Sequence, residues 1–286
     1  MSTPAKEPLP ILAPNPSDLT GPGTTTWLIG TDSVAVIDPG PDLPAHQEAV
    51  ARAGRGRISH ILVTHAHRDH SGGAARLSRL TGAPVLAFGD AGAGRSALMT
   101  RLAATGLGGG EGLDHDFAPD RLLRDGEVVS GADWSLTALH TPGHAAGHLS
   151  FQSGDMILCG DVVMGWSSTL ISPPDGDLGD YFRTLDRLAA LAPRRLLPAH
   201  GPAIEAPLPR LADLARHRRA RTAQILAALR QSPDSAAGLA ARIYTLPPGL
   251  LPAATRNVLA HLIALAQVGA VDFTDELSLD TVFSAA

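Results

Sequence analysis

The stretch ILVTHAHRDH, residues 61–70, places three histidines and an aspartate directly after an apolar run. The apolar residues predict a buried strand over 58–64, so His65, His67, Asp69 and His70 lie in the connection that follows it. Imidazole and carboxylate groups are common ligands of zinc and similar divalent ions. Because a loop can direct successive side chains to one point, this stretch indicates a metal site at the end of the strand.

Three further side chains of the same kind follow predicted strands, each in a turn that contains proline or glycine. His144 follows the strand 134–139, Asp161 follows 156–158, and His200 follows 195–197. We expect these strand ends to converge on one edge of a sheet. Two metal ions that share a water need about seven protein ligands. The candidate ligands number seven: His65, His67, Asp69, His70, His144, Asp161 and His200.

The order HxHxDH, TPGH, GD and His-Gly resembles the metallo-β-lactamase superfamily, over about residues 20–205. The resemblance implies an αββα sandwich. It also implies that one metal ion is held by His65, His67 and His144, and the second by Asp69, His70 and His200. Asp161 then bridges both ions. Two divalent ions are expected, Zn²⁺ first, with Mn²⁺ or Fe²⁺ as alternatives because this ligand set accepts all three.

This site predicts hydrolysis by a hydroxide that bridges the two metal ions, since the ions lower the pKa of bound water to near neutrality. Asp69 and Asp161 are the predicted catalytic residues. Asp69 orients the hydroxide and takes its proton, whereas Asp161 holds both ions.

Five more residues are candidates for a supporting or substrate-binding role. Asp38, in VIDPG, either braces the site or only forms a turn. His148 follows His144 by four residues. Trp166, Ser168 and Thr169 lead into the segment 172–177, which we predict to be a loop extension at the mouth of the site.

The chain divides into three predicted parts: an N-terminal tail over 1–19, a catalytic domain over 20–207 and a second domain over 208–286. The fold class is α/β, with the αββα sandwich followed by a small, mainly α-helical domain of winged-helix type. Helices over 211–231, 235–243 and 252–268 and a strand over 269–273 predict this second domain.

The composition of the 286-residue chain excludes some classes of protein. A net charge of −5 argues against a chain that coats nucleic acid non-specifically. A single cysteine, Cys159, forms no intrachain disulfide. The N-terminus has no apolar segment of signal-peptide type, and no apolar run reaches the roughly 18 residues of a membrane span. We therefore expect a soluble, cytoplasmic protein without a membrane partner.

Longer motifs narrow the resemblance to the β-lactamase-like protein subfamily, which contains single-strand endoribonucleases and thioesterases. These motifs are HAHRDHSGG at 65–73, TPGHAAGH at 141–148 and PAHGP at 198–202. The first candidate substrate is single-stranded RNA. A thioester hydrolase acting on acyl-carrier, acyl-CoA or glyoxalase II-like substrates is the alternative. A nucleic-acid-binding regulatory protein is the hypothesis from another class, and the sequence leaves the oligomeric state open.

The segment 210–230 is rich in arginine, with six arginines against one acid, Asp213. We favour a solvated helix face for these arginines. The alternative is a strip that contacts phosphates and guides RNA to the metal ions. Stacking of RNA bases on aromatic side chains is not expected to be the main source of binding, because only 4% of the residues are aromatic.

Overall fold

Two sheets face each other in the computed structural model, which describes residues 7–108, 112–273 and 276–286. The first sheet has six strands in the spatial order β1 (Leu9–Leu12), β2 (Thr25–Ile29), β3 (Val34–Ile37), β4 (Ile58–Leu62), β5 (Val85–Ala87) and β6 (Arg121–Leu122). The second sheet has five, in the order β11 (Arg195–Pro198), β10 (Met156–Gly160), β9 (Leu149–Ser153), β8 (Ser135–His140) and β7 (Val128–Ser130).

Strand direction places the ends of β4, β10 and β11 where a site can form. Strands β3 to β6 run parallel to one another, while β1, β2 and β3 alternate in direction. In the second sheet, β10 and β11 are parallel and the other pairs are antiparallel. Since parallel strands end on the same edge, the residues that follow β10 and β11 lie side by side.

Helices cover the outer face of each sheet. The chain contains α1 (Pro44–Gly54), α2 (Arg68–Ser71), α3 (Ala74–Thr81), α4 (Ala97–Ala104), α5 (Leu178–Ala190), α6 (Pro207–Leu229), α7 (Ala236–Ile243) and α8 (Leu251–Gln267). Val50 of α1 and Leu77 of α3 pack on the first sheet. Tyr181 of α5 and Leu211 of α6 pack on the second. Buried residues such as Phe151 fill the space between the sheets, so the predicted αββα sandwich is confirmed.

The C-terminal part combines α6, α7 and α8 with a three-stranded sheet. Its strands are β12 (Asp234–Ser235), β14 (Val282–Ala285) and β13 (Val271–Phe273), in that spatial order, and a 3-10 turn covers Pro248–Leu250. The three helices and β13 were expected from the sequence, whereas β12 and β14 were not. Its core contains Val258, Leu262 and Phe283, and also Met99 and Leu102 of α4. The helix α4 therefore joins the catalytic part to the C-terminal part.

The prediction of an N-terminal tail is wrong for Leu9–Leu12, which forms the edge strand β1. Leu9 lies opposite Leu28, and Leu12 lies opposite Thr25. An edge strand accepts Pro10 because one side of its backbone needs no hydrogen-bond partner. Residues 1–6 of the predicted tail lie outside the described residues, and the domain boundary at 207 stays a prediction. None of the described helices has the length and apolar content needed to cross a membrane.

Candidate metal centre

Seven predicted ligands come together at one edge of the sandwich. His65 and His67 lie in the loop after β4, and Asp69 and His70 lie on the single turn α2. Gly72 and Gly73 separate α2 from the next helix, α3. His144 lies in the loop between β8 and β9, whereas Asp161 and His200 follow directly after β10 and β11.

Gly160 is needed where β10 enters the site. Its φ of 48° lies in the left-handed region, and a Cβ atom there would lie 2.5 Å from Nε2 of His148. Glycine avoids both the backbone strain and this clash. This backbone conformation lets the chain turn directly after β10, where Asp161 lies beside the other candidate ligands.

Three imidazole nitrogens form the first group. Nδ1 of His67 lies 2.9 Å from Nε2 of His65 and 3.1 Å from Nε2 of His144. The ligands of a tetrahedral zinc ion, with bonds of about 2.0–2.1 Å, lie roughly 3.3 Å apart. The spacing of this group is therefore close to that of a metal site.

The second group contains Asp69, His70 and His200. Oδ2 of Asp69 lies 3.3 Å from Nε2 of His70 and 3.2 Å from Nε2 of His200. Oδ2 of Asp161 lies 3.4 Å from His70, 3.3 Å from His200 and 3.7 Å from the Nε2 of His144. Asp161 thus lies between the two groups, where a bridging ligand belongs.

In His65, His70, His144 and His200 the ring nitrogen that faces away from the site has a partner of its own, whereas Nε2 of His67 is buried without one in the described ranges. Nδ1 of His70 donates to the Asp38 carboxylate at 2.9 Å, and Nδ1 of His144 donates to the Leu170 carbonyl at 2.7 Å. These hydrogen bonds keep a proton on Nδ1, so that Nε2 is the nitrogen available to bind a metal ion. Nδ1 of His65 lies 3.0 Å from the hydroxyl of Thr64, and Nδ1 of His200 lies 3.2 Å from the Gly23 carbonyl.

The inward-facing atoms fit divalent cations. Nε2 of His70 and Oδ1 of Asp161 are buried without a hydrogen-bond partner in the described parts of the chain. Burial of unpaired polar atoms is unfavourable, and lone pairs that face each other at about 3 Å repel. A cation between them removes both penalties, so the donor set fits a pair of metal ions.

The electrostatics of the site also favour cations. Burial lowers the pKa of His67 to about 3, helped by the charge of His144, so its lone pair is free at neutral pH. Burial opposes ionisation of Asp161, but the charges of His200 and His70 outweigh it and hold its pKa well below the usual value. Burial lowers the pKa of His200, yet the charge of Asp161 and hydrogen bonds to Asp161 and Asp69 raise it to about 10. Asp161 is therefore ionised at neutral pH, and the raised pKa of His200 agrees with negative charge on the carboxylates of Asp161 and Asp69.

Two of the predicted supporting residues lie behind the ligands. Asp38 accepts hydrogen bonds from the backbone N–H and the hydroxyl of Thr64 as well as from His70. Nε2 of His148 accepts the backbone N–H of Asp161 at 3.2 Å, and its Nδ1 lies 2.9 Å from the Thr141 hydroxyl. Both side chains are buried and occupied by these contacts, so they position the loops.

Of the other three, Trp166 and Ser168 lie at the cleft and Thr169 lies behind it. Trp166 is 48% exposed and lines the cleft above the ligands together with Ser168. Thr169 is buried, and its hydroxyl lies 3.0 Å from Nδ1 of His144.

The cleft above the ligands has a volume of about 310 Å³. Apolar side chains of Leu19, Met164, Trp166 and Leu170 contribute to its walls. Helix α8 of the C-terminal part contributes two residues that were not predicted from the sequence, Ala253 and Asn257. Among its described lining residues there is no lysine or arginine.

The segment 172–177 does not line this cleft, so its prediction as a loop at the mouth is wrong. Ser172 and Asp175 are buried, and Asp175 forms an ion pair with Arg95. The N–H groups of Asp175 and Gly176 bond back to Ser172. This compact turn packs inside the molecule because its polar groups find partners there.

The arginines of α6 do not form a uniform solvated face. Arg218 is only 2% exposed and donates to the Thr169 carbonyl and to Oδ1 of Asn257. Arg210 donates to the carbonyls of Met164 (3.0 Å) and Ser167 (2.5 Å). The favoured interpretation is therefore wrong for Arg218 and Arg210, because they are directed at backbone carbonyls beside the cleft.

The remaining arginines of the segment are more exposed. Arg216 pairs with Asp213 at 2.6 Å on the surface. The guanidinium groups of Arg219 and Arg221 lie over the rings of Phe182 and Tyr244. This leaves few guanidinium groups of the segment free to contact a phosphate backbone.

Comparison with known proteins agrees with this architecture. The family model described as the metallo-beta-lactamase superfamily matches residues 19–200, and the beta-lactamase associated winged helix domain matches 235–278. The chain is 30% identical to the beta-lactamase-like protein 2 homolog of Drosophila melanogaster, over 91% of this chain and 87% of that protein.

Two further proteins are similar over most of the chain. The atrochrysone carboxyl ACP thioesterase of Aspergillus chevalieri is 31% identical, over 80% of this chain and 67% of that protein. The crystal structure of a metallo-beta-lactamase family protein from Thermus thermophilus superposes with a TM-score of 0.77 at 25% identity, covering 98% of each chain. The chain therefore belongs to the metallo-beta-lactamase superfamily of metal-dependent hydrolases and carries the associated C-terminal winged-helix domain.

Proposed function

We propose that the protein hydrolyses an uncharged ester or thioester, using two divalent metal ions. The observation that carries this proposal is the cleft, whose described lining is apolar or neutral apart from the candidate ligands and Asp18. A phosphodiester backbone requires cationic side chains along its path. An acyl group requires apolar walls such as those of Leu19, Met164 and Trp166.

The candidate ligands would hold the ions in two groups, with Zn²⁺ as the first expectation. His65, His67 and His144 form one group, Asp69, His70 and His200 form the other, and Asp161 belongs to both. When bound, such ions acidify a water molecule and polarise the carbonyl oxygen of the substrate.

Asp69 is the residue that we expect to handle the proton of the attacking water. Its side chain is 27% exposed and lines the cleft, whereas Asp161 is buried. Burial opposes its ionisation, but the charge of His70 and the close approach of Nε2 of His200 and of His70, at 3.2 and 3.3 Å, hold its pKa well below the usual value. The hydroxyl of Thr24 donates to Oδ2 of Asp69 at 3.2 Å and fixes its orientation. An ionised carboxylate in this position can orient the water and accept its proton.

The name of the fungal relative as an ACP thioesterase supports the thioester class. Single-stranded RNA, our first candidate from the sequence, has less support, because Arg210 and Arg218 are engaged with backbone carbonyls. The thioester alternative is therefore the better match to this cleft.

The test compares a panel of acyl thioesters of increasing chain length with a labelled single-stranded RNA, using zinc-loaded protein. We expect thioester turnover that is insensitive to salt and that falls at least about 100-fold in Asp161→Ala, since a shared ligand is lost. RNA cleavage that disappears in Asp161→Ala, without thioester turnover by the wild type, would contradict the proposal.

A further inference from the structure

The cleft segment, residues 164–171, forms a wall of the cleft without being a helix or a strand. Helices α6 and α8 of the C-terminal part hold it by its backbone. Arg210 and Arg218 of α6 donate to three of its carbonyls. Oδ1 of Asn257, on α8, accepts the N–H of Ile171 at 3.0 Å.

This segment also contacts one candidate metal ligand. The Leu170 carbonyl accepts Nδ1–H of His144 at 2.7 Å, and the hydroxyl of Thr169 lies 3.0 Å from the same nitrogen. Leu170 lies between Thr169 and Ile171, the two residues held by Arg218 and Asn257. The orientation of the His144 imidazole therefore depends on contacts that originate in α6 and α8.

Arg218 and Asn257 form one unit. Nη1 of Arg218 donates to Oδ1 of Asn257 at 2.9 Å, and Nη2 donates to the Thr169 carbonyl. The guanidinium is buried, and no carboxylate pairs with it in the described ranges. Burial of an unpaired cation is costly, and the hydrogen bonds of Nη1 and Nη2 and the Tyr181 ring, whose centroid lies 5.7 Å from Cζ, offset part of this cost, while Nε is buried without a partner in the described part of the chain. The fork of Nη1 and Nη2 fixes both oxygens at once, which a lysine cannot do.

We propose that Asn257 and Arg218 are positioning residues for His144, so that the winged-helix part completes the three-histidine metal group. The inference rests on the proposed function, because it requires metal ions in the site. The group of Asp69, His70 and His200 is held independently, since the Asp38 carboxylate, which belongs to the sandwich, orients His70. Loss of the Asn257 contact must therefore weaken one group and leave the other unchanged.

The test measures Zn²⁺ dissociation by competition with a chromogenic chelator in two backgrounds. In His200→Ala only the three-histidine group is complete, and there Asn257→Ala is expected to weaken Zn²⁺ binding about 10–100-fold, the range typical of groups that orient a ligand. In His144→Ala only the other group is complete, and there Asn257→Ala is expected to change nothing.

Matched variants separate positioning from a general effect on the fold. Asn257→Asp retains the acceptor oxygen and is expected to restore Zn²⁺ affinity, whereas Arg216→Ala, on the same helix as Arg218 and exposed, is expected to have no effect. Arg218→Lys keeps the charge but loses the fork, and is expected to reproduce the loss. Circular dichroism checks that each variant is folded.

Wild-type Zn²⁺ affinity of the three-histidine group in folded Asn257→Ala or Arg218→Lys would overturn the inference. Equal weakening of both groups, or no restoration by Asn257→Asp, would also overturn it. If the wild type binds no Zn²⁺, the proposed function fails and the inference fails with it. Zn²⁺ binding by the wild type with unchanged variants overturns the inference alone.

Discussion

The Asp38 carboxylate lies 2.9 Å from Nδ1 of His70, and both side chains are buried. Asp38 has a φ of 54°, in the left-handed region that is uncommon for a residue with a side chain. In this conformation both of its oxygens accept hydrogen bonds, Oδ1 from the N–H of Thr64 and Oδ2 from the Thr64 hydroxyl and His70. A single carboxylate thus fixes the end of β4 and the tautomer of one candidate ligand.

We expect Asp38→Asn to weaken Zn²⁺ binding at the group that contains His70 by about 10–100-fold. The amide side chain would have one oxygen and one NH₂ group where Asp38 has two oxygens. The NH₂ group cannot accept a hydrogen bond, so a buried donor of Thr64 or His70 loses its partner. Unfolding in urea is expected to show a loss of about 1–3 kcal/mol for the same reason. Chelator competition measures the first effect, and wild-type affinity in this variant would show that Asp38 is only a turn-forming residue.

Arg210→Ala is expected to destabilise the protein and to raise the KM, because the carbonyls of Met164 and Ser167 lose their donor beside the cleft. Hydrogen bonds from charged groups contribute roughly 1.5–3 kcal/mol each to stability. Urea unfolding and steady-state kinetics with the best thioester measure these effects. Arg216→Ala is the control on the same helix, since its exposed pair with Asp213 contributes little. Equal effects of the two substitutions would contradict this prediction.

His261 is expected to make the stability of the protein sensitive to acid. Burial, followed by the charges of Arg218 and Arg221, lowers its pKa to about 3 from 6.5. Since the folded pKa lies below the unfolded pKa, the unfolded state takes up the proton first as the pH falls below 6.5. Stability is therefore lost on acidification, by about 1.5 kcal/mol for this residue between roughly pH 6.5 and pH 5.

The measurement compares urea unfolding of wild type and His261→Leu at both pH values, without metal. In the variant we expect the loss between the two pH values to be smaller by about 1.5 kcal/mol. The hydrogen bond of His261 to Thr222, at 2.8 Å, lowers stability equally at both pH values when it is removed, so it does not affect the difference. An identical loss in the two proteins would show that His261 binds its proton equally well in the folded and unfolded states, which contradicts the lowered pKa.

Local patterns in the chain were enough to identify the seven candidate ligands as one cluster, and the resemblance that their motifs carry implied the sandwich. Apolar runs mark the buried strands, and the ligand-type residues lie directly after them, so both signals are present within a few neighbouring residues. The strand β1 was not predicted, because its sequence pattern is weak. The four-residue strand β1 contains a proline and lies at a sheet edge, where little apolar burial distinguishes it from a tail.

Only the tertiary structure decided which nitrogen of each histidine faces the site and where the arginines of α6 point. A charged side chain on a helix is directed to solvent or to a carbonyl according to what packs against that helix. Arg218 meets Thr169 across 49 residues of sequence, and Asn257 meets Ile171 across 86. No local pattern carries such contacts, because they form only when α6 and α8 dock beside the cleft. The same docking supplies a wall of the cleft, and with it the proposed preference for an uncharged substrate.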